Sequence, residues 1–306
     1  MRFSKNARRP IGLRAKMIGS AALVVCLGAM SLASTATAAS HNPKGEFAPF
    51  AECPLNNLSV TACIYSLSNG GSFTVGTKTV PLKNPVTLQG GAKLNPTTFE
   101  QEFVAAENGD TLSKTPQPVP GGLLGITAPS WWPQILKDFF NEVVINGGAT
   151  GVTATVELAK PASAIKLNLL NLLEAKGTAL GLPVKVKLSN AFLGSNCYIG
   201  SSSSPLQLNF TTGTTSPPPP NKPITGAVGT LSGNEAGTLI TLSGGKLVDN
   251  SFSAPGANGC GGFLFSWAVD PLVNSILGVP AAAGKNTAIL EGKIQSADAA
   301  AVKASE

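Results

Sequence analysis

Between Ala62 and Gln89 the chain runs in short apolar and polar alternations broken by turn-forming residues. Ala62–Leu67, Ser72–Val75, Thr77–Leu82 and Pro85–Gln89 read as antiparallel strands, with Asn69-Gly70-Gly71 reversing the chain between the first two. Phe99–Ala106 reads as a further strand that Asn108-Gly109 turns back. Period-two patterning returns at Gly151–Leu158, and again at Thr178–Ser189, where Leu180, Leu182, Val184, Val186 and Leu188 share a face. Pro183 lacks an amide hydrogen, which predicts an edge position for that strand. Leu206–Thr211, Thr238–Leu242, Lys246–Phe252 and Thr287–Ile294 complete the strand candidates, and Ile165–Glu174 fits a helix or a strand.

Two segments change period. From Trp131 to Ile145, Trp132, Ile135, Leu136, Phe139, Phe140 and Val143 recur at steps of three and four, with Gln134, Lys137, Asp138, Asn141 and Glu142 opposite. Ser130 fits an N-cap and Gly147-Gly148 a stop, and the stripe is expected to pack on a sheet. A second helix is expected near Trp267–Leu277, behind the Gly259-Cys-Gly-Gly262 patch. The order aromatic helix, Gly-containing loop, strand therefore occurs twice, from Trp131 to Leu158 and from Trp267 to Ile294, as an internal duplication would leave it. Pro116–Gly122 reads as a linker or covering loop, so a subdivision would fall near 116–130. Four consecutive prolines stiffen a crossover over residues 213–223. The pattern predicts a mainly β fold, a β-sandwich or partly open barrel with two amphipathic helices covering one side, with α+β as second choice.

The first residues do not belong to that pattern. Arg2, Lys5, Arg8, Arg9, Arg14 and Lys16 precede an apolar run from Met17 to Met30 and a small-residue stretch ending Ala36-Thr37-Ala38. These are the parts of a secretory signal, so residues 1–38 are expected to be removed after Ala38, with Ala39 the second choice, leaving one β-rich domain over 39–306. The run is too short and too rich in Gly and Ser for a membrane span, and no transmembrane anchor is expected. Pro10, Ile11 and Gly12 depart from twin-arginine export, and Cys26 lies behind Val24-Val25 where a lipobox needs small residues.

Removing the leader changes the charge. All of the formal +6 leaves with it, and 16 Lys then face 16 Asp plus Glu. A neutral chain without arginine has neither a basic field nor a guanidinium fork for phosphate, so nucleic acid is not an expected partner. The one histidine, His41, lies just behind the cleavage site in a segment expected to be loose. Histidine-dependent triads, zinc sites and haem ligation are therefore not expected, and no metal or cofactor is assigned. The four cysteines outside the leader, Cys53, Cys63, Cys197 and Cys260, read as two disulfides in an exported chain. Of three connectivities, Cys53–Cys63 with Cys197–Cys260 is preferred, contributing about 3 and about 4 kcal/mol in the chain-entropy model.

Candidate chemistry is sparse. Ser163-Ala-Ile-Lys166 matches a Ser-x-x-Lys pattern, yet Ser-Asp-Asn is missing and Lys176-Gly-Thr178 scrambles Lys-Thr-Gly, as a chance match would. Glu100, Glu102, Glu142, Glu157 and Asp270 could pair for glycoside hydrolysis, with Trp131 and Trp132 stacking on sugar. Solvation of an ordinary surface carboxylate is the competing explanation. Asn57-Leu-Ser59 and Asn209-Phe-Thr211 fit the glycosylation acceptor pattern.

Asn196-Cys197-Tyr198-Ile199-Gly200-Ser201, the stretch Pro217–Gly226 and Asn258-Gly259-Cys260 resemble segments of secreted actinobacterial proteins that have no assigned activity. The resemblance covers roughly the C-terminal half and implies origin and export, without a catalytic residue to carry over. The expectation is a secreted or envelope-associated, non-enzymatic protein that binds an apolar ligand or another cell-surface component. A carboxylate-based hydrolase of envelope polysaccharide is the alternative.

Overall fold

The computed structural model describes residues 41–94, 101–122, 130–139 and 151–306. Ala38, Ala39, Glu100, Glu142 and the helix expected beyond residue 139 lie outside them. The described residues belong to one compact unit. Its first half carries β1 (Ala62–Val75), β2 (Lys78–Pro81), β3 (Val86–Leu94), β4 (Gln101–Ala105), β5 (Gln117–Pro118), α1 (Gln134–Phe139) and β6 (Thr153–Leu158). There follow β7 (Lys166–Leu167), α2 (Leu169–Glu174), β8 (Leu180–Ser189), β9 (Tyr198–Ile199) and β10 (Leu206–Phe210). The last part holds β11 (Thr230–Gly233), β12 (Leu239–Asp249), β13 (Ala257–Asn258), α3 (Gly262–Leu277), β14 (Thr287–Asp298) and α4 (Ala299–Ala304). The fold is mainly β, and among the described residues its 14 strands form one antiparallel sheet.

The turn expected at Asn69-Gly70-Gly71 is a bulge, and a second bulge joins two strands expected to be separate. β1 is a single strand of 14 residues, passing through Asn69-Gly70-Gly71 without reversing. β14 pairs with it almost end to end and slips register between Ser68 and Gly70, while β3 accompanies Ala62–Ser68 and β2 accompanies Ser72–Val75 on the other side. The glycines thus serve a change of partner. Gly71 sits at φ 109°, and a Cβ there would fall 2.1 Å from the Ile289 carbonyl oxygen. β12 repeats the device: Thr238–Leu242 and Lys246–Phe252 merge into one strand whose register against β14 slips between Ser243 and Gly245. Ser68 and Gly245 meet the same residue of β14, Gly292, from its two sides. Bulges at one rung on both flanks bend the sheet locally, as closure requires.

Closure follows from Thr211 and Val248, which exchange both backbone hydrogen bonds, Thr211 N to Val248 O at 3.0 Å and Val248 N to Thr211 O at 2.9 Å. That seam joins the end of β10 to β12 and completes a ring of eight strands, β12-β14-β1-β3-β4-β7-β8-β10. β8 is therefore not an edge. It pairs β10 along one side and β7, then β6, along the other. Pro183 is tolerated because its nitrogen faces the gap between the β7 and β6 pairings, where its own carbonyl accepts from Ala159 N at 2.9 Å. Ile165–Glu174 fitted both periods because it holds both: the short β7 and then α2, capped by Asn168 Oδ1 accepting from Asn171 N at 2.9 Å.

The helices do not cover the sheet in the expected way. On α1, Trp131 just before it and Ile135 within it are exposed, and Leu136 is half exposed, so these members of the apolar stripe face water, while Trp132 is half-buried. On α3 only Val273 and Leu277 are fully buried, whereas Phe263, Leu264, Phe265, Trp267 and Leu272 are exposed. Its start is fixed firmly. Cys197–Cys260 anchors the preceding loop with Cα atoms 4.0 Å apart, and the Asp270 carboxylate accepts from Cys260 N at 2.7 Å and Gly259 N at 3.2 Å.

His41 is not loose. Its amide donates to Ala51 O at 3.1 Å and its Nδ1 lies 2.7 Å from Glu306 Oε1, joining the two ends of the described chain. The Cys53–Cys63 disulfide, a 3-10 helix over Gly45–Phe50 and α4 close a small core there around Phe50, Leu239 and Val302. The proline-rich crossover is clamped by asparagines. Asn221 Nδ2 donates to the carbonyls of Asn250 and Asn286 at 2.9 and 2.8 Å, and Asn250 Nδ2 donates back to Lys222 O at 2.8 Å.

Candidate functional site

The cross-strand register assembles one continuous apolar wall. Val156 of β6 stands beside Val186 of β8, which stands beside Ile199 of β9. Leu188 meets Ala154 on one flank, and Val184 meets Leu206 on the other. Period two places these residues on the same face, so each strand contributes an apolar row without an intervening polar side chain. Val152 extends the β6 row with Val119 beside it, and Phe73 and Val75 at the far end of β1, Val80 of β2, Leu82, Phe252 and Leu277 of α3 complete the lining. Between the walls lies a cavity of about 60 Å³. A void of this size with apolar walls stays dry, because a water inside would find no hydrogen-bonding partners.

Only Lys78 and Gln117 interrupt the apolar lining. Gln117 is buried and its amide is occupied: Oε1 accepts from Lys83 N and Asn84 N at 2.9 and 3.0 Å, and Nε2 donates to Asn84 O at 2.8 Å. The connection bearing α1 leaves and returns at this wall, where Val119 N donates to Val152 O at 2.9 Å. The cavity thus touches both ends of the connection bearing α1, through Val119 and Val152, and the last residue of α3, Leu277.

Residues singled out by motif are dispersed. Ser163 lies in a 3-10 turn and Lys166 opens β7, so they do not share a helical turn, and both are exposed. Glu102 on β4 lies 3.9 Å from Lys93. Glu157 on β6 lies 3.5 Å from Lys185 Nζ and accepts from Tyr198 Oη at 3.4 Å, and the lysine sits 4.2 Å from the centre of the Tyr198 ring. Asp270 holds the start of α3. Each described member of the proposed carboxylate set therefore has a partner of its own, on a different element. Trp131 and Trp132 touch edge to face, with centroids 6.1 Å apart. No group of three or more metal-ligating side chains occurs among the described residues.

Asp249, which no motif marks, sits at the closing seam. Its Oδ2 accepts from Asn209 N at 2.7 Å and its Oδ1 from Ser251 N at 2.9 Å. Burial pushes its carboxyl above the usual 3.8, against the opposing pull of those two amides. Burial also raises the Tyr198 hydroxyl, and the neighbouring Glu157 charge adds to it. Both are accounted for by strand pairing.

No family model matches the chain, and no curated protein or solved structure is similar to it at a level that indicates relationship.

Proposed function

We propose that this is an exported, envelope-associated protein of actinobacterial type that binds an apolar ligand without catalysing its conversion. The observation that carries this reading is the apolar-lined cavity of about 60 Å³ among β6, β8, β9, β10, Phe73, Val75, Val80, Phe252 and Leu277, which admits a few carbon atoms as it stands and a longer chain only when its walls part. Binding sites for small apolar molecules are concave and mostly apolar, with few polar groups at fixed points. Export is supported by the leader pattern and by two disulfides, which persist in oxidising compartments. No helix among the described residues is long and apolar enough to cross a membrane. The hydrolase alternative draws no support from Glu102, Glu157 and Asp270, each of which is engaged elsewhere.

Native mass spectrometry of the protein from its own culture supernatant, before and after solvent extraction, tests the reading. The expected result is a chain that begins near Ala39, retains both disulfides and loses an extractable mass. A bare chain that also takes up neither added xenon nor added decanol would overturn it.

A further inference from the structure

Of the 16 residues of α3 only Asp270 is charged, and its carboxylate is engaged by Cys260 N and Gly259 N. At 3.6 residues per turn, Leu264, Trp267, Ala268, Pro271, Leu272 and Ser275 share the side opposite the buried Val273 and Leu277. All six are exposed. Phe263 and Phe265 flank them on the first turn, 97% and 60% exposed. Phe192 precedes Leu193, whose carbonyl accepts from Gly261 N at 2.8 Å, and brings a further exposed ring to that end. The disulfide at Cys260 and the Asp270 carboxylate fix the start of the helix, so this face is presented preorganised.

Weighted by their exposure, Phe192, Phe263, Leu264, Phe265, Trp267 and Leu272 present on the order of 800 Å² of apolar surface, about what each partner gives to a standard protein interface. The composition narrows the partner. Transient partners meet through surfaces about as polar as the rest of a protein, whereas copies of one chain meet through the most apolar ones. Helices that lie on lipid carry Lys or Arg along their polar side, and α3 has neither. Outside the leader 16 Lys balance 16 acidic residues, so two copies approach without net repulsion. Trp267 Nε1 already donates to Leu264 O at 3.2 Å, so burying the indole orphans no donor.

We propose that α3 pairs antiparallel with the α3 of a second copy about a two-fold axis. In such a contact, if one residue meets another, the second also meets the first. Setting Ala268 against Pro271 sets Trp267 against Leu272 and Leu264 against Ser275. Bulky residues of the first turns thus meet shorter ones of the last turns. Parallel pairing would oppose Trp267 to Trp267 and leave space at Ala268 and Ser275. The pairing is independent of the cavity and its ligand.

Sedimentation equilibrium of the mature, disulfide-bonded protein should show a dimer with a dissociation constant of about 1 μM or tighter. Trp267→Asp and, separately, Leu264→Asp, whose acid suits the first turn of a helix, should each weaken it at least about tenfold. Both variants should keep the melting temperature and xenon uptake of the wild type. A short bismaleimide should link the two copies of Ala268→Cys, which stand roughly 5 Å apart along the axis, and not those of Ser275→Cys, roughly 16 Å apart. A wild type still monomeric at about 100 μM, or a dimer unweakened in either Asp variant, overturns the pairing. Flotation of such a monomer with phosphatidylcholine vesicles would give the face to lipid instead. Linkage at Ser275→Cys, or none at Ala268→Cys, overturns the antiparallel register.

Discussion

Ala154→Leu tests whether the space between the walls is empty and where the ligand goes. Ala154 lies on β6 opposite Leu188, with its side chain on the cavity. Leucine adds three carbons to a site bordered by about 60 Å³ of free volume. At about 0.8 kcal/mol per buried methylene, the added burial is worth up to roughly 2.4 kcal/mol. Crowding in a filled core costs typically about 1–3 kcal/mol. Those two terms differ in sign, and the cavity decides between them. If the volume is free in the unliganded protein, the new side chain enters it in a relaxed rotamer and the net gain is about 1 kcal/mol, a rise of about 3 °C in melting temperature. Xenon uptake should fall in parallel, because the substituent occupies its place. Urea unfolding of wild type and variant, followed by xenon binding, measures both effects. Destabilisation by more than about 1 kcal/mol with xenon uptake intact would refute the reasoning.

Other consequences follow from the seam, the disulfide and the bulges. Since burial holds the Asp249 carboxyl above 3.8, the folded chain keeps a proton that the unfolded chain has released. Its contribution is fully present below that unfolded value and is lost as pH rises through the raised one, so Asp249→Asn should flatten the dependence of unfolding free energy on pH immediately above the unfolded carboxyl's range; an unchanged slope refutes it. Replacing Cys197 and Cys260 by alanine frees a loop of 63 residues and should cost about 4 kcal/mol in the chain-entropy model, read by denaturant midpoint. Gly71→Ala places a methyl 2.1 Å from the Ile289 oxygen at φ 109° and should cost at least about 2 kcal/mol, seen as a lower urea midpoint without loss of secondary structure.

Period-two runs marked the strands because alternation is a local property of a pleated chain with one face buried, as in Leu180 to Leu188 on β8. The sequence also reached the Cys53–Cys63 and Cys197–Cys260 pairs, since four cysteines from Cys53 onward leave few arrangements and short-loop closure favours one. The glycines at Gly70-Gly71 and Gly244-Gly245 carried an ambiguous signal, because positive φ serves a hairpin and a bulge alike. Only the long β14, paired along both flanks, made them bulges. Pro183 likewise announced a missing donor without saying that the gap between β6 and β7 would receive it. The stripes around Trp131 and along α3 specify which residues share a helix face. What that face meets is a tertiary matter, decided here by the disulfide and Asp270 at the root of α3. The cavity was beyond local pattern altogether: its walls come from residues as distant as Phe73 and Leu277, and only closure of the ring through Thr211 and Val248 brings such rows to face one another.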